Sequence, residues 1–305
     1  MANECENLKT AEPPSVAQLV ARLLDVEPLD IRQTTSPDAW FVDLSGGHSV
    51  VVKRPGWLNR PGSPRVEAWA YGECERRGIR APKVVALSED PECLIVERLR
   101  GYAPTAHPTS MTASDRAVHA RAGEDLRALH QVPMAGFGPL APAPDRPHGE
   151  ATTWCPFVRF ARTEGIRWLV DAGFLSVPVA DVLDRRFDDA ASTIIQVTQG
   201  RLLHGDLCCE HIVRSSSETY EGIIDFGQAQ SGDPRWDLAR VRLWDGDEAL
   251  DALLDGYGSD VITNEDRDFV LPLYLFSLVV HHAVGHDRPD YIQTLLDRSG
   301  YRALL

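Results

Sequence analysis

Residues 202–239, LLHGDLCCEHIVRSSSETYEGIIDFGQAQSGDPRWDLA, hold two aspartates and a histidine at spacings that suit phosphoryl transfer. Asp206 follows a short apolar run and a glycine, which places it on a tight loop. His211 comes five residues later. Ile212 and Val213 open a β-rich stretch, SSSE turns it, and Glu221 to Ile224 returns, so that Asp225 ends the return strand. Such a hairpin brings Asp206, His211 and Asp225 to one edge. Phosphoryl transfer needs a set of this kind. One carboxylate accepts the hydroxyl proton or orients the hydroxyl, and a second carboxylate with one further ligand holds the metal on the phosphates. Lys53 supplies a complementary part, because it ends the apolar β-run SVVVK, which anchors its ammonium on rigid sheet. Glu67 lies fourteen residues later, early in the next helix. A strand lysine paired with a helix glutamate positions the α- and β-phosphates in this chemistry.

The elements that must position these groups divide the chain into a strand-rich first third and a helical remainder. Residues 15–24 have helical apolar spacing. Phe41 to Leu44 and Ser49 to Lys53 flank Gly46-Gly47 and predict a hairpin. The loop RPGWLNRPGSP follows, then a helix from about Arg65 to Arg77, ended by Gly78. Lys83 to Leu87 and Cys93 to Glu97 predict two more strands, turned by Asp90-Pro91. Beyond a hinge near residues 97–101, helices are expected at 113–131, 155–172, 179–199, 236–256, 264–285 and 288–298. Residues 133–150 carry five prolines and three glycines and predict a long surface loop.

Composition narrows the function. Acidic residues number 45 against 31 basic ones, a net charge of −14. That excess argues against nucleic acid as a partner and suits either solubility or an acidic cleft for a cationic substrate. No window reaches the ~18 unbroken apolar residues of a membrane span. MANECENLKT lacks a secretory signal, so a cytoplasmic location and no membrane partner are expected. Cys5, Cys74, Cys93, Cys155, Cys208 and Cys209 show no CxxC spacing and are expected to be reduced. His281, His282 and His286, with Asp287 as the nearest carboxylate, predict packing and surface roles rather than a metal cluster. His204 is expected to brace the loop as a buried histidine. Trp236, Trp244 and Tyr257 are expected in the core. The run Asp245, Asp247, Glu248 and Asp251 reads as a solvated helix start, with a cationic-substrate lining as the alternative. A serine or cysteine hydrolase is disfavoured, since GxSxG is absent and no His/Asp pair is placed to serve Cys208 or Cys209.

Several segments together resemble the aminoglycoside phosphotransferase family of antibiotic kinases, relatives of choline and protein kinases. HGD at 204–206 and DFG at 225–227 resemble its catalytic and metal loops. GDPRWDLA at 232–239 resembles its GDPxxDLA, and DLRALHQVP at 125–133, followed by GFG at 136–138, resembles its LxxLHxxP segment. RRGIRAPKVV with LIVERLRG resembles the run into its hinge. The likeness covers roughly residues 40 to 260 and implies an α+β, protein-kinase-like two-lobed fold. A small antiparallel-sheet lobe, residues 1–99, would clamp ATP, and a mainly helical lobe, residues 100–305, would bind the acceptor and carry catalysis. The resemblance implies Asp206 as catalytic base and Asp225 as the main magnesium ligand. It makes Lys53 and Glu67 the phosphate-positioning pair, lets the backbones of Glu97 and Leu99 bond adenine, and has Asp237 brace the catalytic loop. His211 stands where the family usually has asparagine as the second metal contact. Histidine also appears there in the macrolide-phosphorylating branch, and it leaves manganese beside magnesium as the metal. No GxGxxG precedes Lys53; Thr34 to Asp38 is the candidate phosphate-covering loop. The expected reaction moves the γ-phosphoryl of ATP to a hydroxyl of a small molecule. An aminoglycoside is the first acceptor expected, a macrolide the second, and a choline-type or natural-product alcohol the third. An inactive nucleotide-binding scaffold is the competing class. The expected partners are a nucleotide triphosphate and a small hydroxylated, cationic acceptor, with the protein a monomer or weak dimer.

Overall fold

The computed structural model describes residues 15–55, 63–107, 110–154, 164–258, 261–284 and 288–305. The expectations for MANECENLKT, Cys5, Cys155, His286, Asp287, most of the RPGWLNRPGSP loop and the first half of the 155–172 helix lie outside these residues. The chain divides into two compact units, Met1–Pro64 with Val84–Arg98, and Arg65–Lys83 with Leu99–Leu305.

The smaller unit is built on apolar alternation. Helix α1, Val16–Leu24, starts at Ser15, whose Oγ accepts from the Gln18 amide while the Gln18 side chain accepts from the Ser15 amide. This capping box satisfies two amides that the first turn leaves without partners. Five antiparallel strands follow: β1 Pro28–Gln33, β2 Ala39–Leu44, β3 Ser49–Lys53, β4 Val84–Glu89 and β5 Glu92–Glu97. They lie in the order β1-β2-β3-β5-β4. The hairpins β2–β3 and β4–β5 match the expected ones, with Gly46 and Gly47 at positive φ in the first turn. β1 was not anticipated, because PLDIRQ is mostly polar and four of its six residues are exposed. Thr34 to Asp38 forms the β1–β2 connection, held by the Thr34 amide on the Ala39 carbonyl at 3.0 Å. Leu19, Val20, Val42, Val50, Val52, Cys93 and Ile95 form the core under α1. Strand alternation sends Val51 and Lys53 to the opposite face of β3.

In the larger unit, helix α2, Ser63–Arg77, ends at Gly78, where the Gly78 and Ile79 amides cap the carbonyls of Glu75 and Cys74. Helix α3, Ala113–Leu129, begins on a second capping box, Thr112 with Asp115. The expected loop at 133–150 is instead largely strand: β6 Pro133–Met134, β7 Phe137–Ala141 and β8 His148–Ala151. Pro133 opens the edge strand β6, Pro142, Pro144 and Pro147 lie between β7 and β8, and Pro139, inside β7 and opposite Gln230, falls where the β7–β8 register shifts. After α4, Ile166–Asp171, and α5, Val177–Ile195, come β9 Gly200–Leu203, the hairpin β10 Ile212–Arg214 and β11 Tyr220–Ile223, and β12 Gln230–Gly232. A second five-stranded sheet runs β6-β9-β12-β7-β8. The helix expected at 236–256 is two helices, α6 Arg235–Asp245 and α7 Asp247–Tyr257, parted by Gly246 at φ 88°. A helical period survives that break, which is why apolar spacing alone merged them. Helix α8, Leu271–Ala283, is apolar on nearly every face and fills the centre of this unit, and α9, Pro289–Ser299, closes the chain. Trp236 and Tyr257 are buried as expected. No described helix is long and apolar enough to cross a membrane.

The small unit stands on few large side chains, so truncating one of them should be costly. Ile95→Ala, at a fully buried centre of β5, is expected to cost about 2–5 kcal/mol. Denaturant titration should show a lower midpoint at unchanged slope. A midpoint unchanged from wild type would contradict this core.

Candidate active site

The catalytic candidates stand on a loop between two short strands, and a buried carboxylate sets its shape. β9 ends at Leu203, and the chain turns through His204, Gly205 and Asp206 into a short 3-10 turn, Cys209–His211. Asp237, on the first turn of α6 and fully buried, accepts the His204 amide at 2.7 Å and the Gly205 amide at 2.9 Å. His130, just past the end of α3, adds a third donor at 3.1 Å through Nε2, while its Nδ1 accepts from the Tyr257 hydroxyl at 2.8 Å. Burial raises the Asp237 carboxyl, but His130 first and then His204 and the Gly205 amide outweigh it, and the group is held below its ordinary value. The His204 ring bridges the loop to its neighbour. Its Nε2 donates to the Ile224 carbonyl at 2.9 Å, and its Nδ1 accepts the Asp206 amide at 3.2 Å. Burial, with the neighbouring His211, pushes the His204 pKa down to about 4, so the ring is neutral. Gly205, at φ 82°, has no room for a side chain, because a Cβ would run into the Gln228 carbonyl.

Asp206, His211 and Asp225 do meet at one edge, as the hairpin spacing predicts. The β10–β11 pair brings Ile212 opposite Ile223. Asp225 then takes a left-handed conformation, φ 70°, and its side chain caps the next turn at the Gly227 amide. The Asp225 amide donates to the Tyr71 hydroxyl at 3.0 Å. Tyr71 stands on α2 one turn beyond Glu67, which is buried on the same helix face. His211 Nδ1 lies 2.6 Å from the Asp206 carbonyl, an acceptor only, so Nδ1 carries the proton. Its Nε2 then faces Asp225 Oδ2 at 3.7 Å. Burial lowers His211, but its contact with the Cys208 thiol and the charges of Asp206 and Asp225 more than offset this, raising it to about 10. The field that favours a proton on Nε2 also favours a divalent cation in its place. A carboxylate oxygen and an imidazole nitrogen at this separation are a donor pair that fits one ion.

Asp206 is not isolated. Its carboxylate is paired with Arg240, one turn past Asp237 on α6, and Arg240 also reaches His282 Nε2 at 3.2 Å. Arg240 was not anticipated. Its signal in sequence was only its place three residues beyond Asp237, on the same helix face. Leu99 lies in this unit, beside Gly222 of β11. Lys53, half-buried at the end of β3, and Glu97, exposed at the end of β5, belong to the other unit. The resemblance segments have physical roles here. Arg80 of RRGIRAPKVV accepts the Ile223 amide at 2.9 Å through its carbonyl. Asp233 of GDPRWDLA is buried between Arg235 and the Tyr274 hydroxyl. Of the acidic run, Asp245 is buried at the end of α6 and accepts the Cys209 amide, so it is no part of a solvated helix start, while the other three are answered in place: Asp247 by Arg242 at 2.6 Å, Glu248 by Arg116 at 3.1 Å and Asp251 by Arg267 at 2.8 Å. Cys74, Cys93, Cys208 and Cys209 are free thiols.

The model of the phosphotransferase enzyme family matches residues 29–273. Among solved structures, a putative fructosamine-3-kinase from Thermobifida fusca is 22% identical over 95% of this chain and 98% of its own, with a TM-score of 0.67. A thermostable mutant of aminoglycoside phosphotransferase APH(4)-Ia, in ternary complex with ADP and hygromycin B, is 16% identical over 95% and 98%, with a TM-score of 0.68. The choline kinase LicA from Streptococcus pneumoniae is 17% identical over 95% and 97%, with a TM-score of 0.59. These likenesses identify the α+β, protein-kinase-like fold.

Two outcomes follow from the loop. Unfolded, His204 protonates near its ordinary 6.5; folded, only near 4. The unfolded chain therefore binds more protons across that window, so stability should fall as pH drops from 6.5 to 4, by about 3 kcal/mol in all. His204→Gln should flatten this part of a stability-against-pH curve; an unchanged curve would contradict a neutral buried ring. Gly205→Ala meets both a positive φ and a backbone clash. It should cost activity of ~10²-fold or more while the nucleotide still binds, measured by turnover beside nucleotide titration.

Proposed function

The chain belongs to the phosphotransferase enzyme family and is an ATP-dependent small-molecule kinase, and on that premise we propose that it moves the γ-phosphoryl of ATP to an acceptor hydroxyl with Asp206 as the catalytic base. The observation that carries this is the single edge shared by Asp206, His211 and Asp225 on a loop fixed by Asp237. Asp206 accepts the hydroxyl proton or orients the hydroxyl for in-line attack. Asp225 and His211 would hold magnesium, or manganese given the imidazole donor, and the ion supplies charge neutralisation on the phosphates. Lys53 and Glu67 are the proposed phosphate-positioning pair, and the backbones of Glu97 and Leu99 the adenine contacts. In this reading residues 1–99 clamp the nucleotide and residues 100–305 carry catalysis and acceptor binding. Most of the rate comes from positioning and charge neutralisation.

The charges around the site bear on the acceptor. Arg242, Arg116 and Arg267 answer the acidic run that a polycation would need. Arg240 and His282 stand beside Asp206. A guanidinium at the reacting carboxylate repels an ammonium close to the attacking hydroxyl. This supports a neutral or singly charged hydroxyl compound, a macrolide or a sugar amine such as fructosamine, ahead of a polycationic aminoglycoside. An antibiotic-resistance role and a cytoplasmic location belong to the same proposal.

The test is ATP-dependent phosphorylation of a panel holding macrolides, fructosamines, choline and aminoglycosides. Wild type should give higher kcat/KM on neutral or singly charged members. Asp206→Asn should lower kcat by about 10²–10⁴-fold with nucleotide affinity retained. Nucleotide binding with no phosphorylated product from any acceptor would favour the inactive scaffold instead.

A further inference from the structure

Behind the catalytic loop, three segments distant in sequence bring three metal-ligating side chains together. His107 follows a stretch tied to β10 through the Tyr102–Arg214 bridge, Cys209 opens the 3-10 turn after Asp206, and Asp245 ends α6. Among the described residues this is the one group of three or more whose ligand atoms lie within 4.8 Å of one another. His107 Nδ1 is 2.8 Å from Asp245 Oδ1 and 3.6 Å from Cys209 Sγ. We propose that His107, Cys209 and Asp245 form a binding site for zinc or a similar thiophilic divalent cation, separate from the His211–Asp225 pair.

The geometry and the chemistry of the donors agree. Zn–S near 2.3 Å and Zn–N near 2.0 Å at tetrahedral angles separate sulfur from nitrogen by about 3.5 Å, close to the distance here. The nitrogen–oxygen pair needs an opening of about half an ångström from its hydrogen-bonded spacing. Thiolate, imidazole and carboxylate are a zinc donor set, and magnesium or calcium would not select the thiol. Asp245 and Cys209 are buried, while His107 is partly open, which leaves a face for a fourth, solvent ligand. The site is also braced from outside. Asp245 Oδ2 accepts the Cys209 amide at 2.7 Å, which aims Oδ1 at the centre, and the His107 ring stacks on Trp244 with centroids 5.5 Å apart. A hydrogen-bonded His–Asp pair accounts for two of these groups. It does not account for the thiol of a third segment facing the same ring nitrogen.

Binding involves no redox change. The Cys209 thiol proton leaves to solvent, the His107 ring carries its hydrogen on Nε2, and Nδ1 donates its lone pair to the ion. One thiolate and one carboxylate then balance the charge of a divalent cation. Because Cys209 lies three residues from Asp206, the ion would staple the catalytic loop to the end of α6 and to the 102–107 segment. That role does not depend on which acceptor is phosphorylated.

The test uses the full chain after chelator treatment, titrated with cobalt(II) and then zinc. One equivalent of cobalt should give a near-ultraviolet thiolate-to-metal charge-transfer band, displaced by zinc. Cys209→Ser should lose the band and Cys208→Ser should keep it, which separates this site from the His211 neighbourhood. Since Cys209 is buried, circular dichroism accompanies that variant. His107→Ala, at a partly open residue, provides an independent readout: its zinc affinity should fall more than about a hundredfold, beyond what losing an outer-shell partner costs. No thiolate band in wild type, a band that survives Cys209→Ser, or zinc affinity unchanged in His107→Ala would overturn the proposal. Phosphotransfer is measured in the same samples, so a failed metal site and a failed kinase reading are told apart.

Discussion

Three N–H groups converge on the carboxylate of Asp237: the backbone amides of His204 and Gly205 and the ring of His130. A buried ionised carboxylate is tolerated only when its oxygens are answered this fully, and removing its partners would leave a cost of several kcal/mol. The arrangement works in both directions. The donors keep Asp237 charged in a dry interior, and the charge fixes the main chain of His204 and Gly205, so that Asp206 leaves the loop in one direction. His130 is itself set by Tyr257 at the end of α7. The loop that carries Asp206 is therefore located by α3, α6 and α7 together, and its precision is inherited from the helical core rather than from the loop itself.

This dependence explains why distant sequence segments had to occur together. HGD, the histidine of LHQVP and the aspartate of GDPRWDLA form one hydrogen-bonded unit, although His130 caps the end of α3 and Asp237 lies on the first turn of α6. The resemblance carried that unit; periodicity could not, since side-chain contacts between helices leave no period. Local signals did well where one principle ruled. The β2–β3 and β4–β5 hairpins and the end of α2 follow from the turn residues Gly46-Gly47 and Asp90-Pro91 and from the terminating Gly78. They failed where tertiary pairing overrode composition. β1 is polar and exposed yet pairs along β2. Residues 133–150 are rich in proline yet supply three strands to a sheet completed by β9 and β12. Arg240 was hidden for a related reason, because an arginine on an amphipathic helix reads as a solvated residue until its buried surroundings are known.

Charge around the site is arranged in layers. Asp206 pairs with Arg240, and His211 stands between Asp206 and Asp225. The acidic surface that gives the chain its excess is, along the start of α7, compensated residue by residue. A net charge of −14 is thus a poor guide to what the site admits. Local pairing decides it, since exposed charges beyond about 10 Å are screened at ordinary salt.

Turnover of Asp237→Asn measures the central constraint most directly. The asparagine is nearly the same size, but it turns a donor toward amides that also donate and removes the charge that His130 answers. Its kcat should fall by ~10²-fold or more, with nucleotide affinity within a few-fold of wild type and the protein still folded. A variant that keeps wild-type kcat would contradict this, because Asp206 would then be placed by something other than this carboxylate.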